Sequence, residues 1–182
     1  MAISIEKHIS MLDDSFVLLP ERYDPRRDSF KDGIPLLDIV NIGSETITHI
    51  KAKSLNYLSL DTTNSFNGFI SVNNSDFNKL IESTKKVVQK NSVIISRLRP
   101  YLRQVGFVDN AIVPNDEIII TSSEYYELIP KGKESIAFLI PFLLSADIQS
   151  YLQHSIEGGN HPRFKLDALT KILIPNHIYN KR

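Results

Sequence analysis

The stretch of sequence that decides the fold reads SVIISRLRPYLRQV and covers residues 92–105. Its first half is apolar and β-branched, which predicts a buried strand, and its second half places three arginines around Tyr101. Residues 84–108 hold six basic side chains and no acidic one, although the formal net charge of the whole chain is zero. Arginine beside an aromatic side chain is suited to contact phosphates and bases. The segment therefore predicts a surface that binds an anionic partner.

The three arginines allow two interpretations. If the chain stays extended over positions 93–107, the odd-numbered residues share one face and bring the arginines together with Tyr101 for contact with nucleic acid. Alternatively, the arginines pair with carboxylates across a sheet. Five carboxylates stand between positions 104 and 130, where the chain has no basic residue: Asp109, Asp116, Glu117, Glu124 and Glu127. The pattern by itself favours neither interpretation.

The composition is that of a globular protein. The chain has 182 residues, of which 42% are hydrophobic, and this is enough for one domain with its own core. It has no cysteine, which excludes disulfides and thiolate metal sites. Charged residues interrupt the apolar runs near the N-terminus, and the longest apolar run, at 137–144, contains Pro141 and is too short to span a membrane. We therefore expect a cytoplasmic protein without membrane contact.

The order of the predicted elements indicates a mixed fold. Strands are predicted at 46–50, 55–61, 69–72, 92–98, 102–108, 117–121, 124–129 and 171–174. The strand 102–108 is expected to pair with 92–98 after a bend at Pro100, because a proline cannot donate to a sheet ladder. The turn at 64–68 makes a hairpin, and 134–154 has the strongest helical pattern, with Pro141 as a kink or a first-turn break. We expect residues 1–33 to form an N-terminal arm or connector and 34–182 to form a single domain. The predicted fold class is α/β (α+β), a mostly antiparallel twisted sheet with a C-terminal helical segment.

The patterns that mark common catalytic and cofactor sites are missing from the sequence. Its one glycine pair, Gly158-Gly159, lacks the lysine and hydroxyl residue of a phosphate-binding loop. The five histidines are not spaced as metal ligands, and there is no Gly-x-Ser-x-Gly nucleophile elbow. A nuclease-like set of Asn115, Asp116, Glu117, Glu127 and Lys131 is the weaker interpretation, because acidic residues at strand edges are common solubilising groups. We therefore expect a binding protein with no catalytic residue, no metal and no cofactor.

Four stretches follow one another along the chain as a series of motifs. They read YLSL (57–60) with NGFI (67–70), SRLRPYLR (96–103), TSSEYYELIP (121–130), and GGNHPRFKL (158–166) with ILIP (172–175). This series resembles the target-recognition domain of type I restriction-modification specificity (S) subunits. The resemblance extends over roughly residues 34–176. One departure lies before the arginines, where KNS (90–92) stands in place of the usual Gly-Asp.

The resemblance implies a domain that reads a short half-site in duplex DNA and performs no catalysis. In that family, separate modification subunits methylate adenine and a restriction subunit cleaves DNA, as part of bacterial defence. The implied partners are double-stranded DNA, the methyltransferase and restriction subunits, and a second copy or second recognition domain. Two alternatives stay open: the recognition domain of a single-chain restriction-methylation enzyme, and a protein-interaction module that has lost DNA binding.

The predicted DNA-binding residues come from two segments. The basic segment contributes Lys85, Lys86, Lys90, Arg97, Arg99, Tyr101 and Arg103, and the glycine-rich loop contributes Asn160, His161, Arg163 and Lys165. Motifs shared by family members that read different sites cannot select the sequence, so the arginine core is expected to be partly structural. Base reading is expected from 61–90 and 104–116. The candidates there for reading adenine, where turn formation is the simpler explanation, are Asn64, Asn67, Asn73 and Asn74.

Overall fold

The computed structural model describes residues 6, 8, 32–48, 55–112, 117–157 and 162–180. The strands in these residues are β1 (Ile34–Pro35), β2 (Val40–Ile42), β3 (Thr46–Ile47), β4 (Tyr57–Leu60), β5 (Ser65–Phe66), β6 (Phe69–Ile70), β7 (Lys85–Val88), β8 (Val93–Ser96), β9 (Val105–Phe107), β10 (Ile118–Thr121), β11 (Tyr125–Pro130), β12 (Ile156–Glu157), β13 (Arg163–Phe164) and β14 (Leu173–Ile174). The helices are α1 (Leu36–Ile39), α2 (Leu139–Leu143), α3 (Ala146–His154), α4 (Leu166–Thr170) and α5 (Asn176–Tyr179). Most of the predicted arm at 1–33 lies outside the described residues.

Most of the strands assemble into two four-stranded sheets. In the first sheet the order is β2-β11-β8-β9, and all neighbours are antiparallel. In the second sheet the order is β3-β7-β10-β4, and β10 pairs in parallel with β4. The pairs β1–β14, β5–β6 and β12–β13 form two-stranded antiparallel ladders. The predicted α+β class with mostly antiparallel pairing is thus confirmed, with the strands divided between two larger sheets.

Strand β8 lies at the centre of the molecule because both of its faces are covered. Val93 and Ile95 pack in the larger core, which also contains side chains of α2 and α3. Ile94 packs in a second core, formed with side chains of the second sheet. Successive strand residues point to opposite faces, and all three of these side chains are buried. A strand that is covered on both faces reads as a continuous apolar run, which is the pattern the sequence shows here.

The larger core holds the C-terminal part of the chain against the first sheet. It joins Leu128 of β11 to Leu139 of α2, Ile148 of α3 and Phe164 of β13. Each fully buried side chain of this size stabilises the fold by about 1.5–3 kcal/mol relative to its exposed form. The segment that follows the glycine-rich loop is therefore firmly packed beside the end of β8.

The helical segment predicted at 134–154 is divided into two helices, so a single helix kinked at Pro141 is wrong, whereas the alternative that places Pro141 in a first turn is confirmed. Helix α2 begins only at Leu139, and α3 begins after Ser145. Ser145 has an extended backbone (φ −61°, ψ 151°), and its Oγ accepts a hydrogen bond from Ile148 N–H at 3.4 Å. Pro141 lies in the first turn of α2, where an N–H has no intrahelical acceptor. The break between the helices therefore comes from the Ser145 cap.

Candidate nucleic-acid interface

Residues 97–103 form the tip of the hairpin between β8 and β9. The strands pair antiparallel, as predicted, and Ser96 N–H donates to Gln104 C=O at 2.9 Å next to the tip. A 3-10 turn occupies Pro100–Leu102. The proline cannot donate to a strand ladder, and the chain reverses at this turn. The interpretation in which 93–107 stays extended, with all the arginines on one face, is therefore wrong, whereas the bend at Pro100 is confirmed.

Arg99 and Arg103 flank this turn, and both have left-handed backbones, with φ of 48° and 55°. This conformation costs a non-glycine residue about 1–2 kcal/mol. Two hydrogen bonds maintain it: Leu102 N–H donates to Arg99 C=O at 2.9 Å, and Arg103 N–H donates to Pro100 C=O at 2.8 Å. Arg99 and Arg103 thus stand at the two ends of the 3-10 turn.

A second basic segment lies against the tip. Two main-chain hydrogen bonds and one antiparallel bridge join them: Phe164 N–H to Arg97 C=O at 3.1 Å, Arg99 N–H to Pro162 C=O at 3.3 Å, and the bridge between Leu98 and Arg163. The segment at 162–164 therefore runs antiparallel along 97–99. This pairing brings Arg163, which is 66 positions later in the sequence than Arg97 (163 minus 97), to the side of the tip.

The carboxylate of Glu124 lies between two of these arginines. Arg97 Nε is 3.1 Å from Glu124 Oε2, and Arg163 binds the carboxylate with both Nε (2.8 Å) and Nη2 (2.7 Å). Hydrogen bonds from Arg163 and then from Arg97 hold the pKa of Glu124 below its usual range, against the opposing effect of partial burial. The carboxylate-pairing interpretation is therefore confirmed for Arg97. It also applies to Arg163, for which the sequence had indicated only DNA contact.

Lys86 and Arg97 lie around a single aromatic ring. Lys86 Nζ is 5.3 Å from the ring centroid of Tyr126, and the Arg97 guanidinium carbon is 5.9 Å from it. Lys86 Nζ also donates to Tyr125 C=O at 2.7 Å. Burial, followed by the nearby charge of Arg97, lowers the pKa of Lys86. Positive charge is thus concentrated and partly desolvated where β7 and β11 meet the tip.

Arg103 connects the tip to its neighbours. Its Nε donates to Asn67 Oδ1 at 2.8 Å and its Nη2 donates to Leu144 C=O at 3.0 Å. In return, Asn67 N–H donates to Arg103 C=O at 3.1 Å. Arg99 and Tyr101 are exposed, and within the residues that the structure describes the Arg99 guanidinium makes no hydrogen bond or ion pair. Arg103 therefore has a structural role, whereas Arg99 is available to a partner.

The other predicted site residues are dispersed. Lys85 and Lys86 are consecutive in β7, so their side chains point to opposite faces. Lys90 precedes β8 and stands at the opposite end of that strand from Arg97. Lys165 is exposed and follows β13 directly. Asn160 and His161 lie outside the described residues.

Asn64 is one of the asparagines considered for adenine reading, and its amide group is already engaged. Its Oδ1 accepts from Asp61 N–H at 2.7 Å, and its Nδ2 donates to Ser71 C=O at 2.8 Å and Asp76 Oδ2 at 3.0 Å. These bonds close the turn that precedes β5 and connect it to residues that follow β6. The turn-forming interpretation therefore explains Asn64.

Sequence reasoning missed two exposed aromatic residues close to Arg103. Phe66 and Phe69 are 60% and 79% exposed on the two strands of the β5–β6 hairpin. The signal was present as FNGF at 66–69, an Asn-Gly turn between two aromatic residues. The pattern predicts the turn, but it does not indicate which face of the hairpin is packed.

The described part of the chain holds neither a cluster of metal ligands nor a helix able to span a membrane. No group of three or more His, Asp or Glu side chains in those residues is placed to hold a metal ion. Likewise, none of the helices described has the length and apolar character needed to cross a membrane.

Among known proteins, the chain is similar to solved structures and to no family model or curated protein. No family model matches the chain, and no curated protein matches it. Seventeen chains of solved structures do match it, which makes the mixed, mostly antiparallel architecture a known one.

One of the matching chains belongs to a structure described as "Structural basis underlying complex assembly and conformational transition of the type I R-M system". The two chains are 20% identical and superpose with a TM-score of 0.63, over 83% of this chain and 39% of that chain. This protein therefore spans less than half the length of the chain it matches. The resemblance inferred from the sequence motifs is confirmed at the level of the fold.

Proposed function

We propose that residues 34–182 form a single sequence-specific duplex DNA-binding module, the target-recognition domain of a type I restriction-modification specificity subunit or half-subunit. In this proposal the chain is not catalytic. It places separate methyltransferase and restriction subunits on a DNA site in the bacterial cytoplasm. The fold shared with a chain of a type I R-M structure supports the proposal.

The observation that carries the proposal is the joining of two basic segments into one surface. The tip at 97–103 and the segment at 162–164 are far apart in the sequence but are connected by main-chain hydrogen bonds. Cations from both segments then face the same region, with Lys86 of β7 beside them. Several neighbouring cations are needed to contact a series of phosphates and to position the protein on a duplex.

The guanidinium groups of the surface are held in place to different degrees before any contact with DNA. The residues are Arg97, Arg99 and Arg163. A guanidinium has five N–H donors, of which Glu124 takes one from Arg97 and two from Arg163. These bonds fix the orientation of both guanidinium groups, which lowers the entropy lost on binding a phosphate. Arg99 is oriented by its backbone alone and brings an exposed charge to the tip.

A titration with mixed-sequence duplex DNA at several salt concentrations tests the proposed binding. We expect affinity to fall steeply as salt rises, because binding by phosphate neutralisation releases counterions. Fluorescence anisotropy of a labelled duplex gives the dissociation constant and the salt slope. Absence of measurable binding at about 50 mM salt, where this term is strong, would make the proposal wrong.

The same titration distinguishes an arginine at the interface from any surface cation. Arg99→Gly removes the exposed charge and suits the left-handed backbone, so the fold is retained. We expect weaker binding and a salt slope smaller by about one. Lys133→Ala is the control, because Lys133 is an exposed cation beyond the other end of β11, and it should leave the slope unchanged. Equal slopes for both variants would exclude Arg99 from the interface.

A further inference from the structure

The β5–β6 hairpin displays two phenylalanines to solvent on one face. Asn67 and Gly68 form its two-residue turn, with φ of 50° and 95°, as a type I′ turn requires. Phe66 and Phe69 are directly paired across the strands, and residues opposite each other in a ladder point to the same face. Both side chains are mostly exposed. The hairpin therefore presents a matched pair of phenyl groups beside its turn.

The other face of the hairpin is packed. Ser65 is buried, and its hydroxyl hydrogen bonds to the Tyr125 hydroxyl. Burial raises the pKa of Tyr125 to about 12, so this hydroxyl stays protonated. Ile70 lies so close to Gly106 of β9 that a Cβ at that glycine would stand 2.6 Å from Ile70 Cγ1. The packed face therefore fixes the orientation of the hairpin, and this orientation exposes the two phenylalanines.

The turn of the hairpin is also held in place. Gly68 N–H donates to Val105 C=O at 2.9 Å, and Phe107 N–H donates to Gly68 C=O at 3.3 Å. On its other side Gly68 packs against Ile140 of α2, where a Cβ would be 2.5 Å from Ile140 Cγ2. The hydrogen bonds between Asn67 and Arg103 add a link to the arginine tip. The two phenyl groups therefore project from a rigid support.

We propose that the β5–β6 hairpin enters the major groove of duplex DNA, where Phe66 and Phe69 contact the methyl groups of thymine bases. This inference rests on the proposed DNA-binding function and names the residues that read sequence within it. The major groove admits a two-stranded ribbon, and phenylalanine makes apolar contact with the thymine methyl.

Charge complementarity favours DNA as the occupant over a protein. Arg103, which is bound to the hairpin turn, belongs to the same tip as the exposed Arg99. An apolar pair beside these cations suits a partner whose anionic backbone runs next to apolar base edges. The hairpin also lies within 61–90, the region to which the sequence argument assigns base reading.

Deoxyuracil substitution tests the contact one methyl group at a time. The preferred site of the 182-residue chain is first selected from a pool of random duplexes, and each thymine is then replaced by deoxyuracil, which lacks only the methyl. We expect at least one replacement to weaken binding about 3- to 5-fold, as loss of one buried methyl predicts. In the double variant Phe66→Ala, Phe69→Ala the thymine and deoxyuracil duplexes should bind equally.

A control variant and three outcomes complete the test. Leu80→Ala truncates another exposed apolar side chain, 73% exposed and beside Tyr57 at the start of β4, and it should keep the thymine preference. If the double variant selects the same site and keeps that preference, the inference is wrong and the phenylalanines serve another occupant, proteins included. If the wild-type chain prefers a site but never discriminates thymine from deoxyuracil, the inference is likewise wrong. If the wild-type chain binds no duplex, the proposed function fails and the inference with it.

Discussion

At the scale of single residues, Glu124 determines how two of the arginines act. Its carboxylate receives hydrogen bonds from both Arg97 and Arg163 and partly neutralises a region that also contains Lys86. The bidentate contact with Arg163 is the stronger type of carboxylate–guanidinium pair. Both arginines remain partly exposed, at 33% and 37% of their side chains, so solvent screening keeps the contribution of each pair modest.

Glu124→Gln should lower the free energy of unfolding by about 1 kcal/mol at pH 7. The substitution keeps the size of the side chain but leaves neighbouring cations unneutralised. The pKa of Glu124 is lower in the folded protein than its ordinary value of 4.5. The ionised carboxylate therefore stabilises the fold fully above pH 4.5, and this contribution is lost as the pH falls through the lowered pKa. The difference between variant and wild type should therefore narrow as the pH falls below that ordinary value. Urea unfolding at a series of pH values measures it.

Glu82→Gln is the matched control for this experiment. Glu82 is exposed, so its substitution should change the unfolding free energy by less than about 0.5 kcal/mol at any pH. If Glu124→Gln is as stable as wild type at pH 7, the carboxylate does not support the arginine tip.

The partners of these residues could be predicted only in part. The sequence marks Glu124 as one of several carboxylates near the arginines, and its pairing with Arg97 was among the alternatives. The sharing of that carboxylate with Arg163 depends on two long-range registers. Tyr125 must stand opposite Ser96, and Arg163 must stand opposite Leu98. Neither register has a local signal.

At the scale of elements, strands were predictable where an apolar run or a turn-forming residue marks them in the sequence. The apolar run of β8 and the bend at Pro100 predicted the β8–β9 hairpin, which the structure confirms. The turn around Asn67-Gly68 was also predicted, but the strand expected before it, 55–61, does not pair with the return strand: β4 pairs with β10, and the turn joins β5 to β6. The prediction of a single helix over 134–154 was wrong because Ser145 adopts an extended backbone and caps a new helix. Caps and turns compete with periodicity, and the apolar pattern alone does not show which of them dominates.

Gly106→Ala should separate the β5–β6 hairpin from β9. A Cβ there would lie 2.6 Å from Ile70 Cγ1 and 3.2 Å from Ser65 Cβ, so the hairpin has to shift. We expect a loss of about 1–3 kcal/mol in the free energy of unfolding, as for other overpacked sites. Urea unfolding monitored by circular dichroism gives this value.

Two further variants show whether the stability lost in Gly106→Ala comes from the contact with Ile70. Gly132→Ala is the control, because a Cβ at Gly132 has no neighbour within 4 Å, and its stability should match wild type. Adding Ile70→Ala to Gly106→Ala removes the colliding Cγ1 and should make the added methyl less costly than it is beside Ile70. A Gly106→Ala protein with wild-type stability would show that the hairpin is not seated as closely as described.

At the scale of the whole molecule, the charge is neutral overall and locally segregated. The chain has 21 basic and 21 acidic residues, yet the region around the tip joins cations from several parts of the sequence. Screening limits the reach of surface charges to about 8 Å at physiological salt, so this local arrangement matters more than the net charge. The order of the motifs was sufficient to predict the fold. The DNA sequence that the proposed module would read depends on loop geometry, for which the amino-acid sequence has no such signal.

Selection from a pool of random duplexes tests the central claim most directly, because it asks whether the 182-residue chain distinguishes DNA sequences. We expect one short sequence to be enriched. It should bind at least about 30-fold more tightly than a scrambled duplex at the same salt, since two well-read base pairs supply about 1–3 kcal/mol each. Enrichment of no sequence, or equal affinity for the enriched and scrambled duplexes, would contradict the account.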